Sequence, residues 1–191
     1  MTTPRGYGVE RPESDAPKEV SAVFDDTRLK REQLVRDHVD AENRSDYDAA
    51  LATFAHPRYE YVASDEIYDG ADEVMAHWDE LHEAFPDQEV EIVALHSSDD
   101  AVLMEAVARG THLGAYRGLP PTGRKMEQPF LGIFLFEGED LVCERVYYDT
   151  ATVLRQLGVA RDPTTLTGRV ETLARHPLAI GRAVIRGVTK R

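Results

Sequence analysis

At 191 residues with 42% apolar and 30% charged side chains, the chain has the length and composition of one soluble globular core with extensions and excludes collagenous or largely disordered classes. Its formal charge of -13 excludes nucleic acid as the main partner, because phosphates must be met by lysine and arginine. A single cysteine, Cys143, rules out an intramolecular disulfide. With no signal-like apolar segment and no stretch of membrane-spanning length, it points to a cytoplasmic protein.

In chain order, residues 1–24 read as a flexible leader, since Pro4, Gly6, Gly8, Pro12 and Pro17 interrupt helical periodicity. Asp25 to about Asn43 is a charged helix with Leu29, Leu34, Val35 and Val39 as its apolar stripe, and Ser45 or Asp46 caps a short second helix that ends before Pro57. Arg58 to Val62 is a short strand. A third helix over Asp72 to Phe85 repeats Val74, Trp78, Leu81 and Phe85 on one face, with Pro86 just beyond. The pattern then turns to β at Val90 to Ala94, Ala101 to Thr111, Pro129 to Phe136 and Leu141 to Tyr148, with turn signals between. Helices first and strands after is the order of an α+β fold whose helices cover one face of an antiparallel, strongly curved sheet.

Residues 25–158 form the predicted domain, and residues 159–191 form a helical tail. The tail holds seven Lys and Arg against two Asp and Glu, a net of +5 beside -18 on the rest. Within it, Gly168 to Arg175 and Leu178 to Val188 read as two short helices, the second basic and amphipathic. Such a segment can meet an anionic membrane or a partner, but folding back on its own acidic body satisfies both charge patterns without another molecule.

The stretch Gly110-Thr111-His112-Leu113-Gly114, then Tyr116, Gly118 and Leu119-Pro120-Pro121-Thr122-Gly123-Arg124, resembles the central signature of SnoaL-like ester (polyketide) cyclases. Tyr147-Tyr148-Asp149 with Leu154 and Gln156-Leu157-Gly158 resembles the family's last strand, aspartate and closing helix. Asp46, Leu51 and Ala84-Phe85-Pro86-Asp87 are weaker matches. The resemblance implies a cone-shaped NTF2-like fold around a cavity, a homodimer packed through sheet faces, no metal and no organic cofactor. It also implies a small hydrophobic or polyketide-like substrate, with the aspartate matching Asp149 moving a proton beside a carbonyl during aldol closure. Isomerisation, dehydration, epoxide hydrolysis, or binding without catalysis would use the same scaffold.

The residues themselves admit two readings each. Asp149 is either a base whose pKa burial would raise or the cap of a helix beginning near Ala151. His112 either orients Asp149 or hydrogen-bonds a substrate oxygen, or it lies on the surface at a turn. Trp78, Phe85 and Tyr147 line a pocket or are plain core. Arg145 shares a face with Tyr147 and Asp149 by period-two alternation, and if it points inward it lowers the pKa of Asp149 and favours an acidic substrate. His77 and His82, five apart, miss the helical spacing of a metal pair, and His38, His56 and His96 add no ligand pattern.

Overall fold

The computed structural model describes residues 18–162 and 164–175. Eleven elements follow in the order α1 (Lys18–Asn43), α2 (Tyr47–Leu51), β1 (Arg58–Tyr61), β2 (Glu66–Asp69), α3 (Ala71–Ala84), β3 (Glu89–Ser97), β4 (Ala101–Thr111), β5 (Lys125–Glu137), β6 (Asp140–Tyr148), α4 (Thr150–Gln156) and α5 (Leu166–Arg175). Helix α1 therefore starts immediately after Pro17, inside the stretch expected to be leader. A proline just before the first helical residue costs the helix no internal hydrogen bond, so nothing in the sequence prevents a start at Lys18. The amphipathic segment expected over residues 178–188 lies outside the described residues. No described helix is long and apolar enough to cross a membrane.

The six strands form one curved, unclosed sheet in the order β2-β1-β6-β5-β4-β3. All neighbours are antiparallel except β1 and β6, which run parallel, with Tyr59 opposite Glu144 and Tyr61 opposite Val146. The chain reaches that pairing because one helix and four strands, β2, α3, β3, β4 and β5, separate β1 from β6, so no tight hairpin constrains the direction. Strand β2 carries little apolar sequence and lies at the sheet edge, which is why alternation alone does not reveal it.

Helices α1 to α3 cover one face, and the main core forms between them and the sheet. Val35, Val39, Val74, Trp78, Val102, Phe134 and Leu141 are all buried there. Leu29, expected on the apolar stripe, is 66% exposed instead. Arg31 fixes that helix to the strand ends by donating to the carbonyls of Asp99 and Gly138 and by lying over the Phe136 ring at 4.9 Å. At the other end of α1, Asn43 exchanges two hydrogen bonds with the backbone of Val90 at 2.8 and 2.9 Å.

Two β-bulges shape the sheet. One leaves Val93 unpaired in β3. The other lies in β6, where Phe136 faces Leu141 and Leu135 faces Cys143, so Val142 is the extra residue. A bulge bends its strand and reverses which alternate residues face inward. Leu141 points into the core, and beyond the bulge Glu144, Val146 and Tyr148 do so.

Candidate functional site

A cavity of about 280 Å³ lies between the helices and the inner face of the sheet. Strand alternation in β1 turns Tyr59 and Tyr61 inward together, β6 contributes Glu144, Val146 and Tyr148, and α3 contributes His77 and Trp78. The loop after β4 adds Tyr116 and Arg117. Across the loop and β2, Arg117 makes a two-pronged ion pair with Glu66, one arm at 2.8 Å. That pair ties the loop to the edge hairpin beside the cavity.

Towards β2 the walls are almost wholly aromatic. The His77 ring stacks on Tyr68 at 4.2 Å, and its Nε2 lies 2.8 Å from the Tyr61 hydroxyl. Burial lowers the His77 pKa to about 4 and pushes the Tyr61 phenol well above its ordinary value, so both are neutral near pH 7. In the tautomer that carries its proton on Nδ1, the phenol donates and Nε2 accepts. The Tyr61 ring meets Tyr148 edge-on at 5.7 Å, and the Tyr148 and Tyr116 hydroxyls are 3.4 Å apart, which gives the same wall two further donors.

Behind the aromatic wall sits a charged cluster. His38 is fully buried among Phe54, Trp78 and Phe134, with Nε2 3.4 Å from Glu42 and 3.5 Å from Glu144. Burial opposes a charge on this imidazole, but the two carboxylates outweigh it and push the pKa up to about 10. Glu144 is shifted upward chiefly by its own burial, against the attraction of His38. The Tyr59 hydroxyl donates to Glu42 at 3.1 Å.

The residues singled out from sequence divide between two faces. Trp78 and Phe85 are buried and line the cavity, serving as core and wall at once. Asp149, Tyr147 and Arg145 share a face as expected, but it is the outer face of the sheet, because the bulge at Val142 reverses the alternation. Asp149 caps α4, accepting from the backbone of Ala151 at 2.9 Å and the Thr152 hydroxyl at 2.5 Å, and it pairs with Arg155. The Thr152 bond and the backbone donors hold its carboxyl below the usual range, opposite to the elevation expected of a buried base. Arg145 pairs with Glu60 at 2.6 Å and Tyr147 is 39% exposed, so neither reaches the cavity.

His112 is fully buried rather than at a surface turn, and it does not meet Asp149. It stacks on Phe85 at 5.3 Å, and its Nδ1 accepts from the Thr122 backbone at 3.3 Å and contacts the Thr122 hydroxyl at 3.1 Å. The imidazole thus holds the 112–124 loop closed behind the cavity wall. Tyr61, Tyr68 and Glu144 are cavity groups that sequence reasoning passed over, and His77 was weighed there only as a metal ligand. The Arg58-Tyr59-Glu60-Tyr61 alternation carried a signal for the first of them.

Replacing Asp149 with alanine removes the cap of α4 and is expected to lower the melting temperature, whereas Asp149→Asn keeps a capping oxygen and melts near the wild type. Thermal melts of the two variants check this, and neither is expected to change occupancy of the cavity.

A search among curated proteins returns no match. Among solved structures, the chain is similar to a Jannaschia sp. protein assigned as a SnoaL-like polyketide cyclase, with a TM-score of 0.65, 21% identity, and coverage of 71% of this chain and 96% of that one. It is also similar to AclR from Streptomyces galilaeus, assigned as a hydroxylase, with a TM-score of 0.62, 20% identity, and coverage of 71% and 89%. For TsrD from Streptomyces laurentii the TM-score is 0.61 at 23% identity, covering 69% and 97%. At these identities the three likenesses establish the NTF2-like fold, and the activities of those proteins remain theirs. The family model for SnoaL-like polyketide cyclase matches residues 32–157, well over half of the sequence, and the chain belongs to that family.

Proposed function

We propose that this protein is an enzyme that performs acid/base chemistry beside a carbonyl of a small hydrophobic, polyketide-like molecule, closing a ring by intramolecular aldol addition. The reading rests chiefly on the Tyr61–His77 hydrogen bond of 2.8 Å inside an aromatic-walled cavity. A volume of about 280 Å³ suits a compact ligand, near the lower end of typical binding pockets. Tyr61 takes a proton from the carbon next to the carbonyl as its own passes to His77 Nε2. The hydroxyls of Tyr116 and Tyr148 donate to the oxygen on which charge develops. The resulting enolate carbon attacks the second carbonyl, and the proton held on His77 returns through Tyr61 to the new alkoxide oxygen. Protons balance over the cycle.

The test is a thermal-shift screen of aromatic and polyketide-like carbonyl compounds, followed by turnover of each binder. Tyr61→Phe keeps the ring and its packing but removes the shuttle, and is expected to lower kcat by about tenfold to hundredfold. Full turnover by Tyr61→Phe would exclude Tyr61 as the shuttle, and binding with no conversion of any compound would leave a pocket that carries a hydrophobic metabolite without reacting it. That second reading has one observation in its favour: Asp149, the aspartate that the family resemblance makes catalytic, faces solvent.

The same proposal includes a homodimer. Val93, Val107, Leu131 and Tyr147 lie along a shallow groove on the outer sheet face, and Val93 is 61% exposed. Light scattering is expected to give twice the chain mass, and Val93→Glu with Tyr147→Glu is expected to reduce it to one.

A further inference from the structure

His38, Glu42 and Glu144 converge from α1 and β6 at the inner end of the cavity, and their ligand atoms lie within 4.8 Å of one another. His38 is fully buried, and Glu144 is 2% exposed. His38 Nε2 and Glu144 Oε2 both lack a hydrogen-bond partner, although each points into the space the other borders. Buried polar atoms are rarely left so, and two that face one common point indicate something that belongs between them.

The hydrogen-bond pattern on the far side of the imidazole sharpens this. Thr53 Oγ1 donates to the Ala50 carbonyl at 2.7 Å, so it has only lone pairs left for His38 Nδ1, 2.8 Å away. Nδ1 must carry the proton. In a neutral imidazole, Nε2 then turns a lone pair towards two carboxylates. This repels unless a cation intervenes or Nε2 is itself protonated. A protonated Nε2 would leave the cluster at a net charge of -1, unless Glu144 also took up a proton. Its separations of 3.4 and 3.5 Å are long for charge-assisted hydrogen bonds. They agree instead with the distance between adjacent ligands around a tetrahedral ion whose bonds are about 2.1 Å.

We propose that His38 Nε2, Glu42 and Glu144 bind one divalent first-row transition ion of the zinc or manganese type. The charge of such an ion cancels the two carboxylates, so the buried cluster becomes neutral. One nitrogen and two carboxylate oxygens suit these metals, and His38 already donates its other ring nitrogen to an oxygen, as metal-bound histidines do. Tyr59 supplies the matching outer contact to Glu42. Glu42 and Glu144 also line the cavity, so the remaining coordination positions open towards a bound ligand. The site departs from the metal-free pocket that the resemblance implied, and it stands independently of the Tyr61–His77 chemistry.

The test uses the full chain, stripped with chelator and titrated by calorimetry with Zn²⁺ alone and Mn²⁺ alone. One ion per chain is expected for at least one metal, with a higher melting temperature in its presence. Glu42→Gln and Glu144→Gln keep side-chain shape, and each is expected to weaken binding at least tenfold and to abolish the thermal shift. Circular dichroism checks that both remain folded. A His56→Ala, His96→Ala double variant, which removes two exposed histidine–carboxylate pairs, is expected to bind as the wild type does. Failure of both metals to bind the folded wild type at one per chain overturns the proposal, as does binding unchanged by both glutamine variants or lost in the double variant.

Discussion

His77→Gln is expected to lower kcat by at least about a hundredfold on any substrate the cavity turns over, the usual loss when a positioned proton acceptor is removed. Glutamine can still accept the Tyr61 hydrogen bond through its amide oxygen, so ligand affinity and fold should survive. What it cannot do is hold a proton between the two halves of the reaction. A kcat effect with KM nearly unchanged therefore distinguishes proton transfer from simple positioning, and steady-state kinetics read the split directly. Full turnover in this variant would exclude the Tyr61–His77 route.

The acidity of His77 adds a second readout. The groups that face it are Tyr59 and Tyr61 from β1, Tyr68 and Glu66 from β2, Arg117 from the loop and, at longer range, Glu42 from α1. Burial outweighs the carboxylates and leaves the pKa at about 4, against about 6.5 for a free imidazole. The unprotonated form that accepts a proton thus persists well below pH 6, and the acid limb of kcat/KM is expected near pH 4 rather than near 6.5. Stability follows the same sign. Between these two values the unfolded chain binds the proton that the folded chain refuses, so the contribution of this group is present above pH 6.5 and lost as pH falls towards 4. Melting curves at pH 7 and pH 5 should show a larger drop for the wild type than for His77→Gln.

How far the sequence could lead is clearest in β6. The strand itself, its length and its apolar character are plain from Leu141 to Tyr148, and so is the fact that Arg145, Tyr147 and Asp149 share a face. Which face that is depends on a single unpaired residue, Val142, and a bulge has no reliable signature in one sequence. One residue of slip sends the odd-numbered side chains to solvent and Glu144, Val146 and Tyr148 to the cavity. The charged cluster was half visible: His38 and Glu42 stand four apart on α1, a spacing that puts both on one face, but Glu144 joins them only through the fold. His77 sat in view beside Trp78. Its hydroxyl partner comes from β1, and no local pattern links the two.

Gly114→Ala is expected to destabilise the fold by roughly 2–5 kcal/mol, combining overpacking with lost hydrogen bonds. A Cβ built on Gly114 would stand 2.0 Å from the Glu83 carbonyl oxygen and 2.7 Å from its carbon. Both are backbone atoms at the end of α3, so no side chain can rotate away to make room. The same approach brings the Leu113 and Gly114 amides onto the Ala84 carbonyl at 2.9 and 3.2 Å, satisfying an acceptor that the helix end would otherwise leave open. Gly114, the last residue of the Gly110-Thr111-His112-Leu113-Gly114 stretch, is thus required for docking that loop on α3. Gly118 provides the contrast. Its φ of 77° strains an L-residue, but nothing lies within 4 Å of its Cβ position, so Gly118→Ala should cost only about 1–2 kcal/mol. Urea unfolding with an unchanged m-value would report both variants. Equal losses would mean that the close approach to Glu83 is not what requires a glycine at 114.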